Sequence, residues 1–138
     1  MPINFVTNTE ITAKIGRMKR SSESQEDFLE ALLVLEEEGL PLETTRVAKM
    51  LGVSKPAIHQ MGHELIDRGL ITRIDYGDMK LTEAGREIAI RVYNRHKVLK
   101  QFLLSLGISE ETAEEDCCRI EHVISDETFD AIEKSMKK

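Results

Sequence analysis

Residues 44–81 read TTRVAKMLGVSKPAIHQMGHELIDRGLITRIDYGDMKL, and the order of signals within them decides the fold. Thr44 or Thr45 is placed to cap a short helix, Arg46 to Leu51, with Val47, Ala48 and Leu51 facing inward. Gly52, Val53 and Ser54 make a turn. Ser54 caps the next helix, and Pro56 falls in its first turn, where its missing N–H would have had no helical partner. Ile58, Met61, Leu65 and Ile66 supply that helix with an apolar face, and Arg68-Gly69 ends it. Helix, glycine-containing turn and helix form the helix-turn-helix pattern. Leu70 to Ile74 then alternates, Asp75 to Asp78 turns, and Met79 to Leu81 returns, which predicts a β-hairpin wing. Two short helices alone occur in many folds that never touch DNA. The hairpin and the long helix that follow at once make the pattern more specific.

Working outward, Gln25 to Glu38 predicts a helix whose stripe is Phe28, Leu32 and Leu35, capped by Ser22 or Ser24 and ended by Gly39 and Pro41. Residues 1–20 show no clear period. MPINFVTNTE reads as an extended piece or an arm, and KIGRMKRSSES as a basic, polar linker. Downstream, Thr82 caps a long helix from Glu83, with Ile88, Val92, Val98, Leu99, Phe102 and Leu103 as its periodic apolar positions and Gly107 as its stop. Ser109 caps another, running to about His122 or Ile124, and Ser125 a last one, Glu127 to Met136.

The chain has 138 residues, 41% hydrophobic but only 4% aromatic and without Trp, so its core must be Leu, Ile, Val, Ala and Met, which suits helices. No apolar run reaches the roughly 18 residues of a membrane span, and no secretory signal is visible, so a cytoplasmic, reducing setting and no membrane partner are expected. The formal net charge of -6 argues against a nucleic-acid partner until its distribution is read. Arg46, Lys49, Lys55, Arg68 and Arg73 outweigh Glu64 and Asp67, whereas acid gathers between Glu110 and Glu133. A basic front lets an acidic protein dock on phosphate locally.

In a winged helix-turn-helix the second helix enters the major groove with its N-terminal residues toward the bases. Those residues are Ser54, Lys55, Pro56, Ala57, His59 and Gln60. Gln60 can pair with adenine, Pro56 and Ala57 can meet a thymine methyl, and Lys55 can reach guanine or phosphate. Arg46 and Lys49 on the preceding helix, and Arg73 or Lys80 on the wing, are placed for phosphate.

Cys118, Glu121 and His122 are spaced i, i+3 and i+4, so thiol, carboxylate and imidazole share one helix face. Buried cysteines and surface Glu-His pairs are both common. Asp27 and Glu30 share a face of the first helix, however, and His96 sits mid-way along the long one, so three helices offer six candidate ligands. Mixed O, N and S donors suit a divalent first-row metal, and the Cys-x-x-Cys spacing of a structural zinc site is absent.

Taken together, EDFLEALLVLEEEG (26–39), the segment 44–71 quoted above, LTEAGREIAIRVYNRHKVLKQFL (81–103) and CCRIEHVIS (117–125) resemble the metal-dependent repressors of the diphtheria-toxin-repressor and manganese-transport-regulator family. The resemblance covers about residues 22 to 136. It implies a mainly α fold in the short two-domain form, without the family's SH3-like domain. Residues 1–21 would be an N-terminal extension, 22–82 a winged helix-turn-helix, and 83–138 a helical metal-binding and dimerisation domain. It further implies a homodimeric repressor that binds double-stranded operator DNA, with metal as corepressor of metal-homeostasis genes and with neither catalysis nor a small-molecule substrate. Asp27 and Glu30 match the first-helix carboxylates of the manganese branch, and the iron branch has Met where Asp27 stands. His96, Glu121 and His122 match both branches. Cys118 matches the iron branch, where the manganese branch has Glu. Fe(II) is favoured for Cys118's sake and Mn(II) next, with Co(II), Ni(II) or Zn(II) as further ions for binding in vitro. Lys100 and Glu114 stand where the iron branch's second site has Glu and His, so that site is incomplete, while a two-metal cluster sharing Glu30, His96, Cys118 and Glu121 stays open. The competing readings are a winged-helix regulator switched by oxidation of Cys117 or Cys118, and a metalloenzyme, for which the sequence offers no spare general base.

Overall fold

The first helix is much longer than its apolar stripe. In the computed structural model, which describes residues 8–73 and 78–137 and side chains from Glu23 onward, α1 runs Asn8–Glu37. The expected linker KIGRMKRSSES is therefore helical, and neither Ser22 nor Ser24 is a cap. The stretch lacks an apolar period but also lacks proline, and its one glycine, Gly16, costs a helix only about 1 kcal/mol. Residues 1–7, with most of the expected arm, lie outside the described residues. α1 ends where Gly39 adopts φ 71°, with the Gly39 and Leu40 N–H groups donating to Glu36 and Leu35 carbonyls.

α2 (Thr44–Leu51) begins two residues before the expected start, and its N-cap is Glu43, not Thr44 or Thr45. Glu43 makes no side-chain cap bond. Gly52 closes the helix at φ 68°, and α3 (Lys55–Asp67) follows with Ser54 Oγ accepting from the Ala57 N–H at 3.2 Å. Ile58 and Leu65 are buried; Ile66, expected on the same face, is exposed because it lies one residue round the helix from Leu65. Strands β1 (Ile71–Arg73) and β2 (Met79–Leu81) pair antiparallel, Ile71 opposite Leu81 and Arg73 opposite Met79. Three of the four expected turn residues, Asp75 to Gly77, lie outside the described part.

α4 (Glu83–Ser105), α5 (Glu110–Val123) and α6 (Asp126–Met136) each start at a hydroxyl cap: Thr82, Ser109 and Ser125 accept from Gly85, Thr112 and Thr128 N–H groups. Gly85 lets α4 press onto the hairpin, since a Cβ there would sit 1.9 Å from the Leu70 carbonyl oxygen.

Two apolar clusters result. The larger joins Phe28, Leu29 and Leu32 of α1, Val47 of α2, Ile58 and Leu65 of α3, Ile71 and Met79 of the hairpin and Ala89 of α4. The smaller joins Leu99, Cys117 and Phe129 of the last three helices. α4 runs through both, so the metal-ligand candidates on α1 and α5 meet across it. Among the described residues, no helix is long and apolar enough to cross a membrane.

Candidate metal centre

Helical spacing brings the polar residues of α1, α4 and α5 into the seam between the two clusters. Glu121 of α5 is 2% exposed, and its Oε2 accepts from His96 Nδ1 of α4 at 2.9 Å. One residue on, His122 reaches α1: Nε2 lies 2.8 Å from Asp27 Oδ1 and Nδ1 2.7 Å from Glu26 Oε1. Cys118 Sγ lies 3.7 Å from His96 Nδ1 and donates to Glu114 Oε2 at 3.2 Å. The buried Cys117 Sγ lies 3.6 Å from the same imidazole nitrogen.

The six expected ligands do not form one ring of donors. They fall into three overlapping sets whose ligand atoms lie within 4.8 Å of one another: Asp27, Glu121 and His122; Glu30, His96 and Glu121; and His96, Glu114, Cys117 and Cys118. Glu121 belongs to the first two and His96 to the last two. Cys118 therefore keeps company with Glu114 and Cys117 rather than with Asp27. A cleft of about 460 Å³ opens over these sets, lined by Asp27, Glu30, His96, Glu114 and Cys118 with Met50 and Tyr93.

The electrostatics are those of a site short of positive charge. Burial and the neighbouring Glu121 carboxylate push Glu30 up to about 7. Burial likewise raises Glu121. The hydrogen bonds of His96 to Cys118 and Glu121 lift its ring to about 11. Burial opposes charge on His122, but its bonds to Asp27 and Glu26 outweigh that and lift it to about 10. Glu121 Oε1 is fully buried and makes no hydrogen bond among the described residues; its cationic neighbour is His122 Nε2 at 3.5 Å. A buried carboxylate oxygen without a hydrogen bond is costly in the interior, and a cation that took the place of the imidazole proton would satisfy it, so the residues fit a divalent metal. Burial and the nearby Glu114 charge push the Cys117 thiol up to about 11, and Cys118 is also raised, which leaves little thiolate to react with oxidants.

Four residues of this neighbourhood escaped the sequence reading of ligands. Glu26 stands one residue before Asp27, and Glu114 and Cys117 lie one turn and one residue from Cys118. Arg95 has a signal that could have found it. With Val92 and Leu99 it occupies the i, i+3, i+7 stripe of α4, and a cation on a buried stripe needs partners. It donates to the Glu121 and Ile124 carbonyl oxygens and to Asp126, and stacks over Phe129, so it clamps the end of α5 beside the donors.

On the helix-turn-helix face, Lys49, Lys55, Pro56, His59 and Gln60 are exposed, and Ala57 is half-buried. Ser54 is exposed, but its hydroxyl is committed to capping. Arg46 is paired with Glu43 at 3.5 Å, and Arg73 donates to Thr44 Oγ1, so two of the expected phosphate contacts already have protein partners.

Comparison with known proteins agrees with this arrangement. Residues 82–138 match the family described as iron dependent repressor, metal binding and dimerisation domain, and residues 15–85 match a domain of unknown function. The chain is 37% identical over 119 residues to an uncharacterized HTH-type transcriptional regulator of Methanocaldococcus jannaschii, covering 85% of this chain and 95% of that one. It is 36% identical over 106 residues to the transcriptional regulator MntR of Escherichia coli, covering 77% and 68%. A manganese-dependent transcriptional repressor solved in complex with manganese superposes with a TM-score of 0.76 at 25% identity, covering 82% of this chain and 52% of that one. The chain thus spans about half the length of that solved relative. Sequence, fold and donor chemistry converge on one conclusion: the chain belongs to the diphtheria-toxin-repressor and manganese-transport-regulator family of metal-dependent transcriptional repressors.

Proposed function

We propose that this chain is a homodimeric repressor whose binding to operator DNA requires a divalent cation, Fe(II) or Mn(II), and that it is not an enzyme. Residues 22–82 serve as the reading head and 83–138 as the metal-binding and dimerisation region. The observation that carries the reading is the meeting of Asp27 and Glu30, from the helix that packs into the reading head, with His96, Glu121 and His122 of α4 and α5 around the buried Glu121 Oε1.

Asp27, Glu30, His96, Glu121 and His122 would hold the cation, with Cys118 beside them. When bound, it supplies the positive charge that Glu30, Asp27 and Glu121 lack together. The two donor sets that include α1 are all oxygen and nitrogen, which suits Mn(II) and Fe(II) alike, while Cys118 against His96 keeps Fe(II) in favour. Carboxylates of α1 and ligands of α4 and α5 that share one charge prefer a single relative position. The spread of head positions narrows, and two recognition helices meet two half-sites at a lower ordering cost. Leu104, Leu106 and Val123 are exposed apolar residues at the ends of α4 and α5, which supports pairing of subunits through the C-terminal half. The deciding experiment measures operator binding against Mn(II), Fe(II) without oxygen, Co(II) and Zn(II). Affinity independent of any of them would overturn the reading.

A further inference from the structure

The third donor set differs from the other two in chemistry and in position. It contains both thiols of the chain, and it lies wholly on α4 and α5. Cys117 and Cys118 Sγ sit 3.6 and 3.7 Å from His96 Nδ1, and Glu114 reaches the opposite ring nitrogen, with Oε2 3.1 Å from Nε2. Cys118 Sγ is also 3.2 Å from Glu114 Oε2. Adjacent helical residues point about 100° apart, yet the Cys117 and Cys118 sulfurs and one ligand atom each of His96 and Glu114 all lie within 4.8 Å of one another.

We propose that His96, Glu114, Cys117 and Cys118 form an alternative, sulfur-rich site for a thiophilic divalent cation, Zn(II) or Cd(II), filled without any ligand from α1. The inference deepens the metal-sensing reading and rests on it in one respect: the two arrangements share His96 and Cys118. Two thiolates, one imidazole and one carboxylate make a four-donor set of the size these cations take, and soft sulfur selects them over Mn(II). Filling the site displaces the thiol protons of Cys117 and Cys118. It also displaces two present partners, the Glu114 carbonyl oxygen that accepts from the Cys117 thiol at 3.3 Å and Lys100 Nζ, 3.0 Å from Glu114 Oε1. Because Asp27 and Glu30 take no part, a cation held here adds nothing to the link between α1 and α5 that His122 makes through Asp27 and Glu26. It also draws His96 away from Glu30 and Glu121, so this chain can hold a thiophilic ion without closing the reading head.

The test uses the reduced full-length chain with one equivalent of Cd(II) and reads the thiolate-to-cadmium absorption in the near ultraviolet. The expected band falls by about half in Cys117→Ser, which removes one of two thiolates, and keeps its full size in Asp27→Ala. A full band in Cys117→Ser, or its loss in Asp27→Ala, overturns the proposal. Cadmium-113 resonance of the wild-type complex gives the sulfur count without any substitution. A two-sulfur shift supports the site, and a one-sulfur shift overturns it. These outcomes are distinguishable from failure of the sensing reading, which would appear as operator affinity indifferent to Mn(II) and Fe(II) whatever the sulfur count.

Discussion

His122 Nε2 lies 2.8 Å from Asp27 Oδ1, although 95 residues separate the two in the chain. The pair joins the helix that packs into the helix-turn-helix to the helix that packs on the C-terminal cluster. The other nitrogen of the same ring is bound by Glu26, which makes the imidazole the bridge between α1 and α5.

Glu26 orients that bridge from behind. A carboxylate on the far nitrogen of a ligating histidine fixes its tautomer and raises its basicity. Glu26→Gln should weaken Mn(II) or Fe(II) binding by roughly 10–100-fold without unfolding the chain. Calorimetry with Mn(II) checks this, and unchanged affinity would show that Glu26 serves only its ion pair with Arg91.

Protons and cations compete for the same groups. In the metal-free chain His96 and His122 hold their protons to about 11 and about 10, so metal binding at neutral pH must release them and affinity must rise with pH. Stability runs the other way. Both rings are raised above 6.5, so their contribution is complete below that value and is lost as pH climbs through 10 to 11. Glu30, raised from 4.5 to about 7, adds a loss of the same sign between those values. The metal-free melting temperature should therefore fall from pH 5.5 to pH 9 (an interval of about three units or more) while the Mn(II)-loaded protein stays level or gains. Thermal scans across pH, with and without Mn(II), check both slopes.

Gly85→Ala places a methyl where only backbone fits, 1.9 Å from the Leu70 carbonyl oxygen. The same oxygen accepts from the Thr82 N–H, so the hairpin cannot retreat without opening the start of α4. The expected cost is about 1–3 kcal/mol or more, read as a lower denaturant midpoint. Wild-type stability would mean that the close approach is not held in solution.

Gln60 and Lys49 should separate on DNA. With Gln60 proposed to meet a base edge, Gln60→Ala should relax preference at one operator position by about 1–3 kcal/mol. With Lys49 proposed to meet phosphate, Lys49→Ala should weaken all sequences alike, lowering the salt slope by about one. Binding assays on a panel of operator variants at several salt concentrations check the distinction.

Much of this arrangement was legible because caps are local. Ser54, Thr82, Ser109 and Ser125 each accept from the N–H three residues on, and each was readable as a hydroxyl before a periodic apolar run. Asp27 with Glu30, and Cys118 with Glu121 and His122, were legible for the same reason, since helical spacing fixes which residues share a face. The start of α1 was not, because its residues from Asn8 to Ser24, more than four turns, have no apolar period to mark them. The division of the donors into three sets was not legible either. It depends on how α1 and α5 lie against α4, and that is set by Phe28, Leu99 and Phe129 packing at long range rather than by any spacing in the chain.

The most direct test of the account is anomalous scattering from crystals of the Mn(II)-loaded chain. A manganese peak is expected among Asp27 of α1 and Glu121 and His122 of α5. Density for the ion only among Glu114, Cys117 and Cys118, or none at Asp27, would contradict it.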